Sequence, residues 1–190
     1  MRNLLLAAAL IGVPTAALAD DLSYTYADAR YFTTDSDALS INQQGAALAG
    51  SYAIDSTFFV AADANFGYSE RFNNGHYKTI MATLRGGAHY PVTDGLDLVG
   101  TGGVLFADVS GNGTDDNDIG YRADAGLRLA LVPQVEMSAF YSYQSAFGND
   151  ASAFIGDLQY HVTENISAVA SVTNGRNADV YTVGARYRFE

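Results

Sequence analysis

Apolar and polar residues alternate one by one through long stretches of this chain. From Thr57 to Glu70 the even positions read Phe58, Val60, Ala62, Ala64, Phe66 and Tyr68, while the odd ones include Ala61, Asp63, Asn65, Gly67 and Ser69. The same period runs through Ile80, Ala82, Leu84 and Ala88 against Thr79, Thr83, Arg85 and His89, and through Tyr121, Ala123, Ala125 and Leu127 against Arg122, Asp124, Gly126 and Arg128. Period two puts successive side chains on opposite faces of a strand and cannot serve a helix. Ten strands are predicted, at 21–32, 43–54, 57–70, 77–90, 95–108, 119–131, 135–145, 152–162, 165–173 and 179–189. The first is the least regular, because Tyr24, Tyr26, Asp28 and Arg30 share one parity.

A soluble sandwich and a membrane barrel both alternate. Strand length separates them, since globular strands cluster near 5–6 residues and spanning strands need about 9–11. The apolar faces read as free of charge, whereas the opposite faces carry Asp63, Arg85, Asp97, Arg122, Asp124, Arg128, Glu136, Asp157 and Arg186, together with Asp28 and Arg30. An Arg or Lys facing lipid at the midplane costs about 2–4 kcal/mol, so a charge-free face is what hydrocarbon selects. The apolar stripes end in aromatics: Tyr52, Phe58, Tyr90, Tyr160, Tyr187 and Phe189 toward one rim, and Phe66, Tyr68, Phe106, Tyr121, Tyr143 and Tyr181 toward the other. Two such rows read as interfacial girdles.

Connections alternate as well. Tight turns follow Tyr52, Tyr90, Leu131 and Tyr160, and longer polar loops are expected at 33–42, 71–76, 109–118, 146–151 and 174–178. Short periplasmic turns and longer outer loops are the pattern of an outer-membrane barrel, with an even strand count leaving both termini in the periplasm. An open sheet edge in lipid would strand unpaired backbone groups, so the sheet must close. The fold class predicted is all-β, a closed antiparallel up-and-down transmembrane barrel, with eight or twelve strands as the alternatives to ten.

Residues 1–19 are an address rather than a fold element. A positive start at Arg2, an apolar run from Leu4 to Val13 and Ala17-Leu18-Ala19 before Asp20 make a signal peptide, too short for a membrane helix. The barrel domain is then 20–190. With 48% hydrophobic and 16% charged residues the chain is not disordered, and its net charge of −11 excludes nucleic acid as a partner. There is no Cys, hence no disulfide and no thiolate metal site.

The leader, the paired girdles and the final strand Tyr181-x-Val183-x-Ala185-x-Tyr187-x-Phe189 resemble the small outer-membrane β-barrel proteins of Gram-negative bacteria, of the OmpX/OmpA-like or porin-like kind. That resemblance implies that the last strand, here with Phe189 penultimate and Glu190 last, is the signal read by the barrel-assembly machinery. More narrowly, Leu22-Ser23-Tyr24-Thr25-Tyr26 resembles a barrel family of plant-associated gammaproteobacteria once proposed as secreted quorum or immunity factors. The partners implied are outer-membrane lipids and lipopolysaccharide, and the protein is expected to be a monomer.

Candidate chemistry is sparse. Of three histidines, His76 falls in an outer loop, and His89 and His161 have inward parity near the periplasmic turns. Some barrels of this class are lipid-modifying enzymes or proteases, but no Ser-His or Asp-Asp arrangement stands at an outer rim, so no catalytic residue, cofactor or metal is assigned. The stretch Asp108 to Ile119 begins like a calcium loop but lacks the Glu required at position twelve. The inward charges are close to balanced, and Arg forks pair carboxylates in confined space. A lumen near ten strands is expected to be narrow or blocked. The functional expectation is a structural, surface-contact or narrow-pore role. A secreted or vesicle-borne signalling protein and a lipid-modifying enzyme are the alternatives.

Overall fold

The computed structural model describes residues 22–35, 43–72, 75–111, 114–176 and 178–189. The expected signal segment and barrel start before residue 22 lie outside them. Ten strands follow in order: β1 (Tyr26–Asp35), β2 (Gln43–Ala53), β3 (Phe58–Phe72), β4 (Gly75–Thr93), β5 (Leu96–Gly111), β6 (Thr114–Val132), β7 (Val135–Ala146), β8 (Asn149–His161), β9 (Ile166–Gly175) and β10 (Asp179–Arg188). Each pairs antiparallel with its sequence neighbours, and β1 pairs with β10 from Tyr26↔Arg188 to Asp35↔Asp179, closing the barrel. Closure leaves no strand edge to satisfy. The rim holding the start of β1 and the end of β10 is called the terminal rim below, and the opposite one the distal rim.

The distal connections are shorter than expected. Pairing continues to Phe72↔Gly75, Gly111↔Thr114 and Ala146↔Asn149, so the segments expected as loops at 71–76, 109–118 and 146–151 are mostly strand; the one at 33–42 lies largely outside the described residues. Where both faces meet water, hydrophobic alternation vanishes although backbone pairing persists, and the sequence signal stops before the strand does. Strands β4 and β6 reach 19 residues against 10 in β1, β9 and β10. At about 3.3 Å per residue the longer ones run well past a hydrocarbon band of about 25 Å, so one wall of the barrel stands taller.

The outward face needs a second correction. Lys78, Asp108 and Asp179 have the parity of Ile80, Phe106 and Tyr181 and so lie on it. All three sit at the distal ends of their stripes, beyond the last apolar residue, which leaves the face between the aromatic rows free of charge. Inside, large and small residues interlock. A Cβ on Gly87 would run into the Phe59 ring, and one on Gly45 into the Phe66 carbonyl and the Phe32 ring, whereas at outward-facing Gly86, Gly100 and Gly102 it would meet nothing. The inward glycines are therefore demanded by packing.

Candidate functional site

Inward parity delivers Asp, Glu and Arg from eight strands into one lumen, where they form three groups. In the first, Arg186 clasps Asp28 with two hydrogen bonds of 2.7 and 2.9 Å and donates to Gln159 Oε1 at 2.8 Å. Its guanidinium lies 3.6 Å from the centroid of the Tyr26 ring. Arg30 also donates to Asp28 and reaches Asp157 at 3.1 Å, and the Asp28 side chain is fully buried. Two arginines on one carboxylate offset the desolvation of such a charge.

The second group lies on β3 to β6. Arg85 bridges Asp63 at 2.6 Å and Asp124, and Arg122 Nε donates to the other oxygen of Asp124 at 2.9 Å. Thr83 donates to Asp63, and Thr101 to Asp124 at 3.0 Å. Arg85, Gly103 and Arg122 occupy one row across β4, β5 and β6. The missing side chain at Gly103 leaves room for two guanidinium groups to share a carboxylate.

The third group seals the terminal mouth. Leu22 to Thr25, just before β1, turn into the lumen instead of leaving it. Tyr24 is 5% exposed, stacks on His89 with ring centroids 4.0 Å apart, and packs on Phe59 and Val99. Its hydroxyl donates to Asp97 at 2.8 Å. His89 Nδ1 stands 2.9 Å from the same carboxylate but off the hydrogen-bonding direction. Arg128 holds Glu136 through two hydrogen bonds, donates to the Ser23 carbonyl at 3.1 Å and covers the Tyr24 ring. Between this seal and the distal half lies a cavity of about 280 Å³.

All nine residues expected in the lumen network point inward, but the pairing differs from the simple Arg–Asp set. Arg186 and Asp157 find Asp28 and Arg30, which the candidate network left out, and Asp97 is held by Tyr24 rather than by an arginine. The shared parity of Tyr24, Tyr26, Asp28 and Arg30 was the available signal: it is the inward parity, with two tyrosines serving as platforms for Arg128 and Arg186. The aromatic rows face outward. Tyr52, Phe58, Tyr90, Tyr160, Tyr187 and Phe189 are exposed at the terminal end, and Phe66, Phe106, Tyr121 and Tyr181 at the distal end. Tyr68 and Tyr143 complete the distal row half-covered, Tyr68 against His76 and Tyr143 against Tyr121. His161 bonds Ser167, which is wholly buried.

An apolar exterior banded by aromatics, closed antiparallel pairing and a lumen of interlocked charges define a membrane-spanning β-barrel. The chain belongs to the outer membrane protein beta-barrel domain family, whose profile matches residues 4–189. No curated protein sequence matches significantly. Among solved structures it is similar to the translocator domain of the autotransporter NalP from Neisseria meningitidis (12% identity, 90% of this chain and 91% of that one, TM-score 0.52). It is similar also to the NanC porin (12%, 86% and 100%, TM-score 0.50) and to Neisserial surface protein A (15%, 87% and 96%, TM-score 0.48). At these identities the likeness is one of fold.

Proposed function

We propose that this outer-membrane barrel works as a closed wall element that meets the cell exterior with its taller side, and not as an open channel or an enzyme. The observation that carries the reading is the terminal seal: Tyr24, Phe59 and Val99 fill the mouth, and Arg128 is spent on Glu136, Ser23 and Tyr24. A conducting channel needs a continuous path of sufficient diameter along its length, whereas here the mouth is packed and the luminal carboxylates are bonded to neighbours. The histidines are likewise engaged, His89 under Tyr24, His161 on Ser167 and His76 on Tyr68.

In this reading residues 1–19 direct export, the terminal rim faces the periplasm, and the distal hairpins of β3 to β6 face outside. Lipid and lipopolysaccharide surround a monomer, and β10 is the strand read by the assembly machinery. Planar-bilayer recording of the refolded chain tests closure: steps near the baseline are expected, and a stable open conductance of porin size would defeat it. Surface labelling of a tag beside Asp94 on intact cells would reverse the orientation. Recovery in culture supernatant free of vesicles would favour the secreted alternative.

A further inference from the structure

The residues around the lumen cavity do not balance their hydrogen-bonding capacity. Each carboxylate of the middle level is engaged at both oxygens. Asp124 takes Arg122 on Oδ1 and Arg85 with Thr101 on Oδ2; Asp157 takes Arg30 on Oδ1 and Ser138 on Oδ2; Asp63 takes Arg85 and Thr83 on Oδ1 and Asn65 on Oδ2. Arg85 spends its two terminal nitrogens on two different carboxylates, and Arg30 is divided between Asp28 and Asp157.

Arg85 Nε is buried without a partner, but Arg122 holds back more. Among the described residues it is bonded through Nε alone, and its side chain lines the 280 Å³ cavity with 18% of its surface accessible. Its two terminal nitrogens carry four N–H donors in a planar fork, a geometry that matches two oxygens of one carboxylate or phosphate. At Arg122 the cavity therefore offers donors without a partner, while the carboxylates of the middle level are already engaged. A cationic guest would be repelled by that fork, a neutral oxygen could accept a single hydrogen from it, and a carboxylate or phosphate would gain both the two-point geometry and the charge.

We propose that Arg122 anchors a binding site in this cavity for a compact soluble solute bearing a carboxylate or phosphate group. The Tyr24 seal closes the terminal side, so the solute enters from the distal mouth. There Asp116 and Asp118 lie on β6 with inward parity, and their charge discourages polyanions while a small solute with one anionic group still passes. The site is independent of the closed-wall reading: a sealed barrel and a gated one would both contain it.

The test is titration of the ¹⁵N-arginine-labelled chain, refolded in detergent micelles, with inorganic phosphate and with acetate at ionic strength held constant by chloride. A saturable movement of one arginine side-chain signal is expected with at least one anion. It should weaken about tenfold or more in Arg122→Gln, the loss of one good charge-assisted contact. Arg176→Gln, at an exposed turn residue, should leave the titration as it was. Absence of saturation with both anions, or the same affinity in Arg122→Gln, overturns the proposal. Should Arg122→Gln fail to refold, as judged by heat-modifiable gel mobility, Arg122→Lys decides: it keeps the charge but loses the fork, and affinity equal to the parent overturns the site. A signal that moves with added lipopolysaccharide but with neither soluble anion overturns the assignment to a soluble solute.

Discussion

Two levels of the same lumen use the same residue types to different ends. At the terminal level Arg128 and Arg186 are almost wholly enclosed and capped by a tyrosine ring, Arg186 on both oxygens of Asp28 and Arg128 with two nitrogens on Glu136 Oε1. At the middle level Arg85 and Arg122 share Asp124, and Arg122 keeps its terminal nitrogens free beside a cavity. The difference lies in what stands next to the charge. Where Leu22 to Tyr24 and Phe59 exclude water, every guanidinium nitrogen is bonded within the protein, because an unpaired charge there costs several kcal/mol. Where the cavity admits water, a donor can remain unspent at little cost. Arginine count says nothing about a pore until its surroundings are known.

The largest expected effect comes from breaking the enclosed level. Arg186→Ala strips Asp28, whose side chain is fully buried, of its bidentate partner and frees Gln159 and Tyr26. Removing one member of a buried pair costs about 3–5 kcal/mol. The denaturant midpoint of the refolded barrel should fall accordingly, and a change under about 1 kcal/mol would mean that the terminal level is as hydrated as the middle one.

Opening the seal without touching a charge comes next. Tyr24→Ala removes a buried ring worth about 2–3 kcal/mol of burial and orphans an oxygen of Asp97. Conductance should appear in bilayers where the parent is silent, since Arg128 loses the ring that covers it. Silence together with lost stability would place the constriction at the Arg85–Arg122 level instead.

Arg122→Ala should cost least within the lumen, about 1 kcal/mol, because Asp124 keeps Arg85 and Thr101. A loss matching that of Arg186→Ala would erase the distinction between the levels.

Much of this architecture is legible in the sequence, because the bilayer forces parity. Leu84 and Thr83 differ by one position and must face different media, so the spanning core of each strand announces itself. The pairs within the lumen do not. Arg30 and Asp157 are 127 residues apart and meet through the packing of strands across the barrel, which no local pattern encodes. The inward course of Leu22 to Tyr24 was hidden for a related reason. Tyrosine at the end of a stripe reads as girdle, and only the parity shared with Asp28 and Arg30 marks Tyr24 and Tyr26 as luminal. The distal extensions of β3 to β6 left no periodic trace, because water on both sides removes the pressure to alternate.

The smallest effect lies outside the lumen, at the same terminal rim, and separates the seal from the turns that frame it. In the β2–β3 turn the Asp55 carboxylate accepts the backbone N–H groups of Phe58 and Thr57, both at 2.7 Å, and these bonds hold its pKa below the usual carboxylate range. A depressed folded-state pKa contributes stability that is present above the unfolded pKa of about 3.9 and is lost as pH falls through the folded value. The parent should therefore lose a small part of its stability below about pH 4 that Asp55→Ala has already lost at neutral pH, so the two midpoints converge on acidification. Asp55 is exposed, unlike Asp97 and Glu136 at the same rim, so bilayer conductance should stay silent in Asp55→Ala. Conductance in that variant would show that the turn, and not the Tyr24 cluster, holds the mouth shut.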